Sequence, residues 1–238
     1  MKLRLPFPIL YEDRDVIVAV KPAGMLTTHT RLKENGTLEE YLNDYVRKGQ
    51  AKSRKRVYLV HRLDRETSGV MMVAKSEAVA EKFRADWNAL TEKTYIAKVE
   101  GKLEADEGIF ESYLRDDPKT MKVSSVKDPR FGKLARTEWR RLAETRSATL
   151  VEVTLKSGRK NQIRVHFSEA GHPVVGDVKY GGRRSDRLYL HSCRLKFKHP
   201  FSGEWLEFSD EMPKGGKNMD WGALLRGWQS LPFEDGLS

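Results

Sequence analysis

A stretch of nine residues, HRLDRETSG at positions 61–69, places polar and charged side chains between two apolar runs. The runs at residues 57–60 and 70–74 consist of aliphatic and aromatic side chains, a composition typical of buried strands. Polar groups buried between strands cost free energy unless hydrogen bonds or opposite charges compensate. The pattern therefore predicts a polar loop within a sheet, which is an unusual position for the carboxylate of Asp64.

Most of the remaining apolar pattern also predicts strands. They are expected at residues 9–11, 16–20, 93–101, 137–142, 149–155, 188–197 and 204–208. Helical spacing indicates helices at residues 37–48, after Ser76 and at 161–170. Residues 102–135 are polar and contain Pro118 and Pro129, so we expect a mobile or hairpin-bearing stretch there. This pattern predicts an α+β fold with a mixed, largely antiparallel sheet and flanking helices.

The charge balance favours a polyanionic partner. Lysine and arginine number 44 against 34 acidic residues, which gives a net charge of +10. Such a surplus binds nucleic acids through counterion release, but it also suits an anionic membrane or a basic surface without a partner. Charge alone leaves these alternatives open.

Length and cysteine content set further limits. At 238 residues we expect one domain, with room for two lobes around a cleft. The single cysteine, Cys193, excludes an internal disulfide and suits a reducing compartment, so the cytoplasm is the expected location. Pro6, Pro8 and nearby charges interrupt the first residues, so neither a signal peptide nor a membrane span is expected.

The spacing around Asp64 does not by itself define a site. Asp64 could simply form a turn by bonding the backbone near Thr67 and Ser68. A metal site could combine Asp64 with histidines of the chain, namely His61, His166 and His172. No compact zinc spacing accompanies them, and the glycines form no phosphate loop or dinucleotide fingerprint, so no metal and no cofactor are expected.

Five stretches of the sequence occur in the order of one known family. HRLDRETSG resembles the HRLD-x-x-TSG signature of RluA-type RNA pseudouridine synthases. KTYIAKVEG at 93–101 and SGRKNQIRVHFSEAGHPVVGDVKYGG at 157–182 resemble two further blocks of that family. VKPAGM near the start and LHSCRLKFKHPFSGEWLEF near the end are similar to its opening and its closing hairpin. The resemblance covers residues 9 to 213, and it implies that residues 1–213 form a pseudouridine synthase catalytic domain with a central RNA-binding cleft.

The resemblance implies an isomerase that acts on uridine in structured RNA, either ribosomal RNA, transfer RNA or both. Its catalytic residues would be Asp64 as nucleophile, Arg164 as the partner of Asp64, and Tyr95. Cleavage of the C1′–N1 bond builds positive charge at C1′, which an ionised carboxylate stabilises or captures. Whether Asp64 bonds covalently to the sugar or promotes an elimination at C2′ stays open.

The other implied roles follow from the same chemistry. A guanidinium favours the ionised form of a neighbouring carboxylate and orients it, while a tyrosine offers uracil an aromatic face and a hydroxyl near C5. Extrusion of a stacked uridine costs a few kcal/mol, which contacts to phosphates and to the vacated stack must offset. The candidate RNA contacts are Arg62, Arg65, Lys21, Arg159 and Lys160. For Lys21, Arg159 and Lys160, a solvated surface position is an equal alternative.

Some features depart from the family. Relatives often have histidine at the position of Asn161, a difference that we expect not to affect the nucleophile. We expect no counterpart of the separate N-terminal RNA-binding domain that many relatives carry, and we expect residues 214–238 to form a tail of unknown role. A monomer is the default oligomeric state. Two rival functions are an RNA-binding protein without activity and a hydrolase that uses Glu66 as a second carboxylate.

Overall fold

The computed structural model describes residues 4–29, 35–50 and 52–210. Within these residues eleven strands form one sheet. The strands are β1 Ile9–Glu12, β2 Val16–Lys21, β3 Tyr58–Leu59, β4 Ser68–Ala74, β5 Thr91–Glu100, β6 Glu107–Asp117, β7 Lys122–Val126, β8 Lys133–Glu144, β9 Ala148–Leu155, β10 Leu190–Lys198 and β11 Trp205–Ser209. The helices are α1 Leu38–Arg47, α2 Glu77–Ala85, α3 Trp87–Leu90 and α4 Gln162–Glu169.

The sheet is mixed but largely antiparallel. Its order is β1-β2-β4-β10-β5-β9-β8-β6-β7, with β3 beside β4 and β11 beside β10. Strands β4 and β10 run parallel, and the other pairs among the described strands are antiparallel. This arrangement confirms the predicted α+β class. The tail predicted at residues 214–238 lies outside the described residues, as do the last three residues of the predicted catalytic domain.

Individual elements follow the apolar pattern closely, with one strand shorter than predicted and with the hairpin alternative found at residues 102–135. The predicted strand at residues 57–60 is reduced to β3 Tyr58–Leu59, which pairs with the end of β4. The stretch at 102–135 is a regular hairpin of β6 and β7, flanked by β8. Its strands alternate between exposed and covered residues, a weak period-2 signal in a sequence dominated by polar side chains. Among the described residues, no helix has both the length and the apolar content to cross a membrane.

Apolar side chains cover both faces of the β2 and β4 region. Ile17 and Met71 belong to a cluster that includes Leu38 of α1 and Phe167 of α4. Alternate residues of the same strands belong to a second cluster, with Phe83 of α2. Because side chains alternate along a strand, each strand contributes to both clusters. This double packing fixes β4, and with it the polar loop that precedes it.

The first two residues of β4 lie against β10, where Gly69 pairs with Ser192. Gly69 has a φ of +119°, and an added Cβ would collide with the backbone oxygen of Ser192. Only glycine fits such a close approach of two backbones. The glycine that ends the HRLDRETSG stretch is therefore required by the contact between these parallel strands.

We expect Gly69→Ala to lower the free energy of unfolding by about 3 kcal/mol, because both backbone strain and a backbone collision result. Gly49→Ala is the matched control, since Gly49 also has a positive φ, of 74°, but its added Cβ meets no atom within 4 Å. The control should cost only about 1 kcal/mol. Urea unfolding measures both values, and equal losses would contradict the assigned collision.

Candidate active site

The loop that carries Asp64 is fixed on both sides of this residue. On the N-terminal side, the Thr27 hydroxyl donates to the carbonyl of Leu63 at 2.9 Å and accepts from the Leu63 N–H at 3.3 Å. On the C-terminal side, the Thr67 N–H donates to the carbonyl of Asp64 at 3.1 Å. The carboxylate of Asp64 is thus presented from a rigid turn rather than from a free loop.

Lys21 stabilises the same loop through hydrogen bonds from its buried side chain. Its side chain is fully buried, and its ammonium donates to the carbonyls of Pro22, Met25 and Arg65 at 2.9, 2.7 and 3.0 Å. Burial lowers the pKa of Lys21 to about 7, against the opposing charges of Glu66 and Asp64. All three ammonium donors are used inside the protein. The position of Lys21 therefore corrects the expectation of an RNA contact, and its role is to join two loops.

A chain of ion pairs leads from Asp64 into the protein. Arg164 on α4 donates from Nη1 to Asp64 Oδ2 at 3.4 Å. From Nε and Nη2 it donates to the two carboxylate oxygens of Asp177, at 2.6 and 2.7 Å. Burial opposes the charge of Arg164, but the Asp177 carboxylate outweighs it and raises the pKa of the guanidinium above its ordinary value. The buried bidentate pair fixes the arginine, which in turn faces Asp64.

Asn161 forms a second contact to the same carboxylate oxygen. Its Nδ2 donates to Asp64 Oδ2, and its Oδ1 accepts a hydrogen bond of 2.9 Å from the Tyr180 hydroxyl. Asn161 precedes α4 with a φ of +53°, a conformation that asparagine adopts more readily than most residues. The side chain at this position thus touches the carboxylate of Asp64 directly, while the expectation that asparagine in place of histidine leaves the nucleophile unaffected stays a prediction.

Tyr95 lines the pocket of Asp64. The pocket has a volume of about 60 Å³, and Arg62, Asp64, Tyr95 and Arg164 are among its lining residues. Burial, with a further contribution from the charge of Asp64, raises the pKa of the Tyr95 hydroxyl above its ordinary value. The hydroxyl is therefore neutral at physiological pH, so that it can donate and accept hydrogen bonds but is not a preformed phenolate.

The predicted RNA contacts other than Lys21 are exposed. Arg62 and Arg159 line the pocket of Asp64. Lys160 pairs with Asp116 at 2.7 Å, and Arg65 donates to the carbonyl of Gly24 at 3.2 Å. Arg65 is not among the residues that line the pocket. The structure thus brings Arg62 and Arg159 to the pocket, while Arg65 lies beside it.

The three histidines considered as metal ligands do not converge on Asp64. His61 Nε2 accepts from the Met72 N–H at 3.0 Å, and burial lowers the pKa of this ring to about 3. His166 bonds Ser112 and Thr137, and His172 bonds the carbonyl of Glu100. Each ring is thus engaged with a different element. His61 connects its own loop to β4.

Sequence reasoning gave no role to three residues that surround Asp64. They are Asn161, Asp177 and Tyr180, which lie 97, 113 and 116 positions after Asp64 in the sequence. Asp177 and Tyr180 belong to the GDVKYGG motif, so their place in a recurring block was the available signal. The buried carboxylate of Asp177, with a side chain only 1% exposed, required a cationic partner that the sequence did not identify.

Comparisons with known proteins find relatives of a single family. The family model described as RNA pseudouridylate synthase matches residues 15–169. A Bacillus subtilis protein named uncharacterized RNA pseudouridine synthase YlyB is 36% identical, over 87% of this chain and 69% of that protein. Ribosomal large subunit pseudouridine synthase D of Nitrosomonas europaea is 34% identical, over 96% of this chain and 67% of that protein.

A solved structure shows a similar fold. Human RNA pseudouridylate synthase domain containing 4 has a TM-score of 0.71 and 24% sequence identity, and the match covers 87% of this chain and 88% of that chain. The family match includes the loop of Asp64, the strand of Tyr95 and the whole of α4. These findings confirm the predicted family and fold. The chain belongs to the RNA pseudouridylate synthase family, the isomerases that convert uridine to pseudouridine in RNA.

Proposed function

We propose that this protein isomerises one or more uridines in the RNA of the large ribosomal subunit, with Asp64 as the nucleophile. The observation that carries the proposal is the position of Asp64, a carboxylate in a narrow pocket whose Oδ2 is held by Asn161 and Arg164. Two donors on one oxygen orient the carboxylate, as attack at an electron-poor carbon requires.

In the proposed reaction the bond between C1′ and N1 breaks and its electron pair leaves with the uracil. Asp64 captures C1′ or removes the proton at C2′, and the base turns within the pocket. C5 then bonds to C1′ as the bond from Asp64 to C1′ breaks or, in the elimination route, as Asp64 returns the proton to C2′. The proton on C5 passes to water, and N1 gains a proton from water. Every proton and electron comes from the substrate or from water, so we propose that neither a metal nor an organic cofactor takes part.

Tyr95 and Arg62 have separate proposed roles. Tyr95 supports the uracil ring and offers its neutral hydroxyl to the base near C5. Arg62 follows the strand β3 and immediately precedes the loop residues Leu63 and Asp64, so it can occupy the space vacated by the extruded base. Arg65, Arg159 and Lys160 are exposed, Arg159 lines the pocket, and we propose that all three supply positive charge for phosphates.

The choice of ribosomal RNA rests on the names of the relatives, one of which is a ribosomal large subunit pseudouridine synthase. Transfer RNA is the alternative substrate. The hydrolase alternative has less support, because Glu66 is exposed and is not among the described residues that line the pocket of Asp64. We further propose that the protein acts as a monomer in the cytoplasm, a compartment that suits its free, buried Cys193.

The test is release of tritium from large-subunit ribosomal and transfer RNA transcripts labelled at uridine C5. We expect release into water from the ribosomal transcript, because C5 loses its hydrogen when it bonds C1′. Release from transfer RNA alone would replace the proposed substrate. Binding without release from any transcript would favour the RNA-binding alternative, and free uracil among the products would identify a hydrolase.

A further inference from the structure

A groove adjoins the pocket of Asp64 on the side of α3. It has a volume of about 400 Å³, and Arg62, Asp64 and Tyr95 line both the pocket and the groove. Because the two spaces share these residues, RNA that places a uridine in the pocket also passes the groove. The nucleotides next to the target are the part of the RNA that would occupy it.

Lys93 lies in the wall of this groove. It precedes Tyr95 by two residues on β5, so both side chains leave the same face of the strand, about 7 Å apart. The Lys93 residue is only 4% exposed, and its ammonium, shielded from water, has no hydrogen-bond partner among the described residues. The Lys93 ammonium makes a cation–π contact with the Trp87 ring, whose centroid lies 5.5 Å from Nζ, and this ring stacks on His61.

No carboxylate is positioned to pair with Lys93 in the described part of the groove. Asp64 is the one acidic residue among the described residues that line it, and Arg164 and Asn161 engage its Oδ2. Burial alone lowers the pKa of Lys93, to about 8, with no opposing contribution from an anion. A lysine in this environment still carries its charge at neutral pH, and it does so without compensation.

An unpaired buried charge costs free energy that an apolar side chain of the same length would avoid. Such a cost is typical of functional groups whose partner arrives with a ligand. Three of the other four cations of the groove have partners within the protein, and the fourth, Arg62, is exposed. Arg84 bonds Glu77 and the carbonyl of Leu59, Arg159 bonds the carbonyl of Leu134, and Lys160 bonds Asp116. Lys93 differs from these three in having no hydrogen-bond partner among the described residues, and from Arg62 in being buried. A change of its side-chain rotamer is what would bring Nζ to an anion in the groove.

We propose that Lys93 binds a backbone phosphate of the RNA next to the target uridine, a role that rests on the function proposed above. The four surrounding cations, Arg62, Arg84, Arg159 and Lys160, make the groove attractive to a polyanion. Within it, Lys93 supplies the contact that is shielded from water, where a charge-assisted hydrogen bond is strongest. A single phosphate is thereby fixed about one nucleotide from the reacting base.

The test compares Lys93→Met with the wild type in the full chain, using the tritiated large-subunit ribosomal transcript. We expect RNA affinity to fall about tenfold, with kcat little changed and the melting temperature unchanged or raised. The slope of log K against log salt concentration should fall by about one, because one phosphate contact is lost. Lys93→Arg should restore part of the affinity.

Lys196→Met is the matched control. Lys196 lies on the neighbouring strand opposite Glu92, whose side chain points away from that of Lys93, so the control removes the same charge from the other face of the sheet. It should leave RNA affinity and salt slope near the wild-type values. Lys93→Gln repeats the measurement if the methionine variant does not fold.

The outcomes separate this role from the proposed function. Unchanged RNA affinity in Lys93→Met, or reduced affinity with an unchanged salt slope, would overturn the phosphate contact while the wild type still releases tritium. A lower melting temperature with normal RNA affinity would show that Lys93 is structural. No tritium release by the wild type from any transcript would instead overturn the proposed function itself.

Discussion

Replacement of Asp64 by alanine is expected to abolish isomerisation and leave the protein folded and able to bind RNA. We expect kcat to fall by about 10⁴-fold or more, a loss of ~5 kcal/mol in transition-state stabilisation, because the carboxylate acts on C1′ only as the glycosidic bond breaks. Stability should change little. Asp64 is partly exposed, and Arg164 keeps its bidentate partner Asp177 when Asp64 is removed.

Single-turnover tritium release measures the rate, and filter binding measures RNA affinity. Glu66→Gln is the discriminating companion variant, because Glu66 lies two residues away in the same loop but is exposed and lines neither the pocket nor the groove. It should turn over like the wild type. Turnover by Asp64→Ala would refute the assignment of the nucleophile, and loss of activity in Glu66→Gln would revive the hydrolase alternative.

The order of strands along the chain was predictable, but their arrangement in the sheet was not. Alternating and continuous apolar runs located β2, β4, β5, β9 and β10, because strands buried on one or both faces have a period-2 or a uniformly apolar sequence pattern. This sequence pattern contains no information on which strands are neighbours in the sheet. The parallel contact between Gly69 and Ser192 joins residues 123 positions apart, and it is visible only in three dimensions.

The site was predictable in part for the same reason. A motif identifies residue types that recur together, so Asp64, Tyr95 and Arg164 could be named, and the structure places all three around one pocket. A motif does not say which side chains touch. Asn161 contacts Asp64, and Lys21 is buried beneath the loop, and neither fact follows from residue type. From the sequence alone, Lys21 beside a loop with Pro22 and Gly24 is a reasonable phosphate contact. Its complete burial, which the sequence does not show, excludes that role.

Arg164 is the second residue whose replacement is expected to have a large effect on kcat, because it connects Asp64 to Asp177. We expect Arg164→Lys to lower kcat by about 100-fold, close to 3 kcal/mol, with little change in RNA affinity. A lysine has one ammonium in place of a planar fork, so it cannot make a bidentate pair with Asp177 and still reach Asp64. The free energy of unfolding should also fall by about 2 kcal/mol, because the buried Asp177 loses a hydrogen bond.

Arg140→Lys is the matched control, since Arg140 pairs with Glu152 on the surface and such exposed pairs contribute little. A double-mutant cycle with Asp177→Asn then separates positioning from general damage. If Asp177 acts by holding Arg164, Asp177→Asn alone should lower kcat, and the double variant should be little worse than Arg164→Lys. Fully additive losses would mean that the two residues act independently, and a normal rate in Asp177→Asn would show that Arg164 faces Asp64 without help from the buried carboxylate.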